Sequence, residues 1–198
     1  MTVKRRLIGI IVALVVMLSG VCSAQSNWKW LGKAPLDAEQ TQVILMQEKG
    51  ERPNPAMYLS RSFIRKHLKK FADGASLVMS RDSFISYVLF SKTIGREDNS
   101  CFVMPVDVCD EIEAAANGNP RVYERALGFD DGYFESHGGL IRLDVYDLTD
   151  LDLRVPSGNE AGANSYWLPG GYTSGGVPEA VTNLIPKSRV RIIVVTNE

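Results

Sequence analysis

The residues best suited to chemistry lie in one long stretch, residues 156–178, which holds six of the 17 glycines and shows no helical or strand periodicity. A segment of this length without periodicity is usually either functional or disordered. Glycine lets backbone amides approach a ligand, Asn, Ser and Thr supply neutral hydrogen bonds, and Trp stacks on flat rings. The sequence therefore predicts a pocket wall for a nucleotide-like ligand, the alternative being an ordered Ω-loop packed by its own aromatic side chains. The predicted binding residues in this stretch are Asn159, Trp167, Thr173, Ser174 and Gly175.

Two acidic residues accompany this stretch as candidate catalytic groups. Glu179 follows Gly175-Gly176-Val177-Pro178 and begins an apolar segment. A carboxylate in that position can polarise a substrate hydroxyl or stabilise a developing positive charge. Glu160 lies in a turn, where it either acts on the substrate or caps a helix.

Two further candidates, Arg61 and His67, precede this stretch in the sequence. Arg61 can grip a phosphate through two parallel hydrogen bonds, or it is an exposed arginine at a helix start. His67 is on the apolar side of a predicted helix, which is typical of a core histidine but also allows a general acid or base. Two distant histidines do not suggest a zinc site, and we predict no metal.

These residues must be positioned by helices and short strands. The predicted helices are 38–49, 60–71, 81–91, Val106–Ala116 and Pro120–Leu127, and the predicted strands are 75–79, 101–104, Leu140–Val145, 151–155 and Val190–Val195. This mixture has no regular βαβ rhythm, so we expect an α+β fold with several helices and a small, mainly antiparallel sheet. Asp110 and Glu113 are placed on a solvated acidic face of their helix.

The N terminus has the plan of a secretory signal peptide. Lys4, Arg5 and Arg6 precede a 12-residue apolar run, which is too short for the roughly 20 residues that span a bilayer. Small residues at Cys22 and Ala24 predict cleavage near Ala24 and a secreted or periplasmic product. A lipoprotein anchored through Cys22 fits less well, because Val21 is bulky. Residues 25–55 form a polar lead-in, and residues 56–198 form one domain.

Composition narrows the classes of partner. The chain has 22 Lys and Arg against 23 Asp and Glu, and residues 25–198 carry a net charge of −4. Proteins that bind nucleic-acid phosphates or anionic membranes usually have a basic excess, which is absent here. After export, Cys101 and Cys109 can form a disulfide, the alternative being two free thiols.

Residues from about 58 to the C terminus resemble a toxin domain found at the C-termini of bacterial polymorphic toxins. The motifs that carry this resemblance include Lys66-His67-Leu68, Cys101-Phe102-Val103-Met104-Pro105, Leu127-Gly128-Phe129, Pro156-Ser157-Gly158-Asn159-Glu160 and Thr173-Ser174-Gly175-Gly176-Val177-Pro178-Glu179. The resemblance implies a toxin-like effector with a cognate immunity protein.

A looser similarity, to the ADP-ribosyltransferase-like toxins, is carried by Phe102-Val103 ahead of Pro105 and by the late Gly-Gly-Val-Pro-Glu segment. It implies a split, mostly antiparallel sheet with NAD as substrate in a central cleft. Glu179 would hold the nicotinamide ribose hydroxyl and stabilise the oxocarbenium-like transition state. Arg61 or His67 would grip the nucleotide, and the glycine-rich stretch would contact nicotinamide or a macromolecular acceptor.

Three functions follow as hypotheses. The first is a secreted toxin-like enzyme that acts on NAD, by ADP-ribosyl transfer or NAD glycohydrolysis. The second is a metal-independent ribonuclease that acts on RNA, with His67 as general acid or base. In that reaction Arg61, Arg154 or a hydroxyl of the glycine-rich stretch would stabilise the phosphorane-like negative charge. The third is a non-catalytic secreted binding protein that uses Trp167 as a contact.

Overall fold

The computed structural model describes residues 31–195. The predicted signal peptide, its cleavage site at Ala24, Cys22 and the beginning of the lead-in lie outside the described residues. The helices are α1 (Ala38–Leu45), α2 (Arg61–Leu68), α3 (Arg81–Tyr87), α4 (Val106–Ala116), α5 (Pro120–Leu127) and α6 (Tyr133–Ser136). The strands are β1 (Ala75–Ser80), β2 (Thr93–Ile94), β3 (Cys101–Pro105), β4 (Leu140–Val145), β5 (Ala180–Thr182), β6 (Ile185–Pro186) and β7 (Val190–Val195).

Five strands form an antiparallel sheet in the order β5-β3-β1-β4-β7, and β2 pairs with β6 in a separate two-stranded sheet. The strand β1 is central, since Ala75 pairs with Pro105 of β3 on one side and with Val145 of β4 on the other. The predicted α+β class with a small, mainly antiparallel sheet is confirmed. In the described residues, no helix has the length and apolar character needed to cross a membrane.

The five-stranded sheet is covered on both faces, because successive side chains of a strand point to opposite sides. Leu77, Val103 and Leu143 point to one face, in a core that also contains Phe71 at the end of the α2 segment. Met104 points to the opposite face, where the apolar side chains of α4, α5 and α6 cover the sheet. Each fully buried side chain of this size contributes about 1.5–3 kcal/mol relative to an exposed one. The second face also forms the floor of the candidate site.

Buried charge ties α4 to the sheet. Arg142 of β4 is 2 % exposed, and its Nε donates a hydrogen bond of 2.7 Å to Asp144, which is 1 % exposed. Its two other nitrogens donate to Glu113 and Asp110 of α4, at 2.6 Å each. The interpretation of these two acids as a solvated face is therefore incomplete. A buried guanidinium needs partners for its N–H groups, and α4 supplies them.

Local signals set the bounds of several elements. The bounds predicted for α4, α5, β4 and β7 are confirmed. In α5, the side chain of Asn119 accepts a hydrogen bond from the backbone of Arg121, and Gly128 ends the helix with a φ of 76°.

One of the predicted strands is wrong, and some strands of the structure were not predicted. Residues 151–155 form no strand, and only an isolated bridge joins Arg154 to Val181. The strands β5 and β6 have three and two residues, which is too short for a periodic pattern. Their positions depend on pairing with β3 and β2.

The predicted disulfide between Cys101 and Cys109 is not formed, and both thiols are free and buried. Cys101 belongs to the core on one face of the sheet, whereas Cys109 of α4 belongs to the core on the other face. The sheet itself separates the two sulfurs. Burial raises the pKa of each thiol to about 12, so both are protonated and unreactive at neutral pH.

Candidate functional site

Residues 156–178 fold as a succession of turns without helix or strand. The carboxylate of Glu160 closes the first turn by accepting hydrogen bonds from the backbone of Ser157 and Gly158, at 3.0 and 2.8 Å. Trp167 packs on Gly158, where an added Cβ would lie 2.5 Å from the indole ring. The guanidinium of Arg52 lies 4.9 Å from the centre of the Trp167 ring. The segment is therefore ordered by its own side chains and by the lead-in.

An inner cavity of about 150 Å³ lies between this segment, the second face of the sheet and the end of α5. Its lining includes Val78, Phe102, Met104, Leu127, Phe129, Asn164, Trp167, Thr173 and Glu179. Among these described residues, Glu179 supplies the only carboxyl group. The buried indole Nε1 of Trp167 has no hydrogen-bond partner in the described part of the chain. The inner cavity thus combines an apolar wall with one acid, and Trp167 in that wall has a buried N–H without a partner among the described residues.

The carboxyl of Glu179 lies in an environment that disfavours its charge. Glu179 is half-buried, and no group within residues 31–195 donates a hydrogen bond to its carboxyl. Burial, with a smaller contribution from the negative charge of Glu160, raises the pKa of Glu179 to about 8. A carboxyl with a strongly raised pKa in a cavity is typical of a functional site.

His67 holds the backbone of Glu179 from behind the cavity. Its side chain is almost completely buried, and Nε2 donates a hydrogen bond of 2.9 Å to the Glu179 carbonyl oxygen. The ring contacts Tyr172 edge-on, with 5.0 Å between centroids. Burial is the main cause that lowers the pKa of His67, so the imidazole is neutral at pH 7. Its contacts are those of a core histidine that positions Glu179.

An outer cavity of about 570 Å³ adjoins the inner cavity and shares Val78, Phe102, Phe129 and Tyr166 with it. The remaining lining includes Tyr87, Arg96, Asp130 and Tyr133. Together the two cavities fall within the roughly 300–1,000 Å³ of small-molecule sites. Sequence reasoning missed Arg96, Phe102 and Phe129 as site residues. The signal available was weak, because Arg96 lies in an ordinary polar turn and the two aromatic residues have core-like neighbours.

Some of the other predicted residues line the inner cavity, whereas others hold the surrounding segments in place. Trp167 and Thr173 line the inner cavity, and the hydroxyl of Thr173 donates a hydrogen bond of 2.6 Å to the carbonyl of Ala126. Asn159 instead anchors the lead-in, since its side-chain oxygen accepts from the backbone of Gly50 at 2.7 Å.

Four predicted binding residues, Asn159 among them, and one predicted catalytic acid lie outside both linings. Ser174 packs against Gly128, and Gly175 lies against the backbone at the end of α5. Arg61 is exposed at the first position of α2. Glu160 does not line the inner cavity. Besides burial, its negative charge raises the pKa of Glu179, and its hydrogen bonds hold the turn at residues 157–160. The structure therefore brings Glu179, Trp167 and Thr173 together and leaves Arg61, Asn159, Ser174 and Gly175 elsewhere.

The arrangement can bind a flat ring against the aromatic wall while presenting the Glu179 carboxyl to it. Within residues 31–195, no cluster of three or more His, Cys, Asp or Glu side chains could hold a metal ion. No family model matches this chain, and a search of curated proteins finds no significant match.

Proposed function

We propose that this protein is an exported, toxin-like enzyme that breaks the bond between nicotinamide and ribose in NAD, releasing nicotinamide by hydrolysis or by ADP-ribosyl transfer. The observation that carries the proposal is the half-buried, unpaired Glu179 carboxyl in the aromatic inner cavity, next to a larger cavity. The split-sheet fold of the ADP-ribosyltransferase-like toxins remains part of this proposal. The antiparallel sheet and the separate β2–β6 pair are compatible with it.

In the proposed reaction, the bond between ribose C1′ and the nicotinamide nitrogen breaks, and its electron pair neutralises the pyridinium. The C1′ centre develops positive charge and is captured by water or by an acceptor nucleophile, which loses a proton. Glu179 would accept a hydrogen bond from a ribose hydroxyl and stabilise that charge as an anion. The positive charge of bound nicotinamide would favour ionisation of Glu179, since an opposite charge lowers the pKa of a carboxyl.

The geometry favours this function over the ribonuclease hypothesis. His67 is buried and is not part of the lining of either cavity, so it has no route to a phosphodiester. Arg154, one of the two arginines named for that reaction, donates hydrogen bonds to Asp152 and Asn183.

The test is a measurement of nicotinamide release from NAD by the purified protein, beside Glu179→Gln and the control Glu111→Gln. Glu111 is an exposed acid of α4 outside both cavities. We expect Glu179→Gln to reduce release by about 100-fold or more, with Glu111→Gln unchanged. Absence of release from the native protein with water or a mixed pool of acceptors, or equal release from Glu179→Gln, would overturn the proposal and favour a binding protein.

A further inference from the structure

The lining of the outer cavity contains an arginine, Arg96. The guanidinium of Arg96 lies 5.4 Å from the centre of the Tyr87 ring and makes no ion pair or hydrogen bond within residues 31–195. Because stacking on an aromatic face leaves the edges of a guanidinium free, its N–H donors remain available to a ligand.

The turn that carries Arg96 is held in place at several points. The backbone N–H of Arg96 donates to the Ser100 carbonyl at 2.7 Å, and the N–H of Asn99 donates to the Arg96 carbonyl at 3.0 Å. Asp98 accepts hydrogen bonds from the Ser100 hydroxyl and from the backbone of Ala161, at 2.6 Å each. The second of these contacts fixes the turn to the 156–178 segment. The backbone of Arg96 is therefore fixed relative to both cavities, and from it the exposed side chain reaches the lining of the outer cavity.

The lining of the outer cavity also carries one negatively charged group. Asp130 supplies the only carboxyl of the outer lining within the described residues, and it accepts a hydrogen bond of 2.8 Å from the Tyr166 hydroxyl. The aromatic rings of Phe129 and Tyr133 stack beside it, with centroids 4.7 Å apart. The outer lining therefore carries one carboxylate, one guanidinium and aromatic surface, and within the described residues Arg96 is its only positively charged group. Arg96 and the aromatic surface suit an anionic group attached to a flat ring.

We infer that the outer cavity binds the diphosphate-bearing half of a nucleotide, with Arg96 as the residue that grips the diphosphate. A guanidinium presents donors in a planar fork that matches phosphate oxygens. This assignment rests on the proposed function for the identity of the complete substrate, but binding of a nucleoside diphosphate can be measured without any reaction. It replaces Arg61 by Arg96 as the phosphate ligand.

The experiment measures binding of ADP and of adenosine by titration calorimetry, in EDTA, for the native protein and for the variants Arg96→Gln, Arg96→Lys, Arg61→Gln and Arg65→Gln. Arg65 is an exposed arginine of α2 outside both cavities. We expect ADP to bind about tenfold or more tightly than adenosine. Arg96→Gln should abolish this difference, Arg96→Lys should keep part of it, and Arg65→Gln should keep all of it.

The inference is overturned if the native protein binds ADP no more tightly than adenosine, or if Arg96→Gln keeps the native ratio. It is also overturned if Arg61→Gln, and not Arg96→Gln, abolishes the difference. A different result would overturn the proposed function and leave this inference standing: ADP binds in a way that depends on Arg96, but the protein releases no nicotinamide from NAD.

Discussion

The imidazole of His67 donates a 2.9 Å hydrogen bond to the backbone carbonyl of Glu179, a residue 112 positions later in the chain. This bond joins the helix α2 to the residue that presents the carboxyl of the inner cavity. On the other side of the same peptide segment, the Glu179 N–H donates to the Gly171 carbonyl at 2.8 Å. The backbone of Glu179 is thus fixed by two segments, while its carboxyl has no hydrogen-bond partner among residues 31–195.

The pH dependence of nicotinamide release should report the ionisation of Glu179. Burial and then the charge of Glu160 raise its pKa to about 8, and the proposed role needs the ionised form. We therefore expect kcat/KM to rise with pH up to about 8 and to level off above it, because kcat/KM follows the free enzyme. A profile that falls over this range would contradict the proposed role and indicate a general acid.

Glu160→Gln should move that profile to lower pH. The substitution removes the negative charge that helps to raise the pKa of Glu179, and it keeps an oxygen that can accept from the backbone of Gly158. The control Glu111→Gln should leave the midpoint where it is. An unchanged midpoint in Glu160→Gln would show that burial alone raises the pKa.

Glu179 should also make the folded protein less stable as the pH rises. An unfolded glutamate has a pKa near 4.5 and the folded one a pKa of about 8, so between these values the folded state binds more protons. Stability attributable to this group is complete below about pH 4.5, is lost as the pH rises to about 8, and then stays level. Glu179→Gln should therefore raise the Tm by an amount that grows over this range, measured by circular dichroism. A constant Tm difference would contradict the raised pKa.

Replacement of His67 should lower the stability of the fold and should have a smaller effect on nicotinamide release than replacement of Glu179. His67→Phe keeps a flat ring among the neighbouring aromatic side chains but leaves the Glu179 carbonyl without its donor. We expect the free energy of unfolding to fall by about 1–3 kcal/mol, as measured by urea denaturation. Nicotinamide release should fall less than in Glu179→Gln. Complete loss of release at unchanged stability would mean that His67 acts in the reaction itself.

The buried pair Arg142 and Asp144 allows a test of the link between α4 and the sheet. Arg142→Leu leaves Asp144 buried with Ser76 as its nearest remaining buried donor, so we expect a loss of about 3–5 kcal/mol in denaturant unfolding. Adding Asp144→Leu should restore part of that loss, because the unpaired charge is removed. Asp110→Asn removes only an exposed partner and should cost less than about 1 kcal/mol. Equal losses in the single and double leucine variants would argue against an unpaired-charge effect.

The sequence by itself determined the elements that depend on neighbouring residues. The helices α4 and α5 and the strands β4 and β7 follow from local periodicity, from Pro120 at a helix start and from Gly128 at a helix end. Glu179 could also be chosen as a candidate acid from the sequence, since an acid after a glycine-rich segment and before an apolar one is a local pattern.

Tertiary structure decided the contacts between residues far apart in the chain. Cys101 and Cys109 pack on opposite faces of the sheet. The residues next to each cysteine in the sequence do not predict this separation. The short strand β5 exists because β3 supplies its hydrogen-bond partners, and Arg96 faces the outer cavity because Asp98 is tied to the 156–178 segment. Local propensity acts over a few neighbouring residues. The burial of a side chain, its pKa and its access to a ligand depend on surfaces that are assembled from distant segments. A local sequence pattern does not show which distant segments come together.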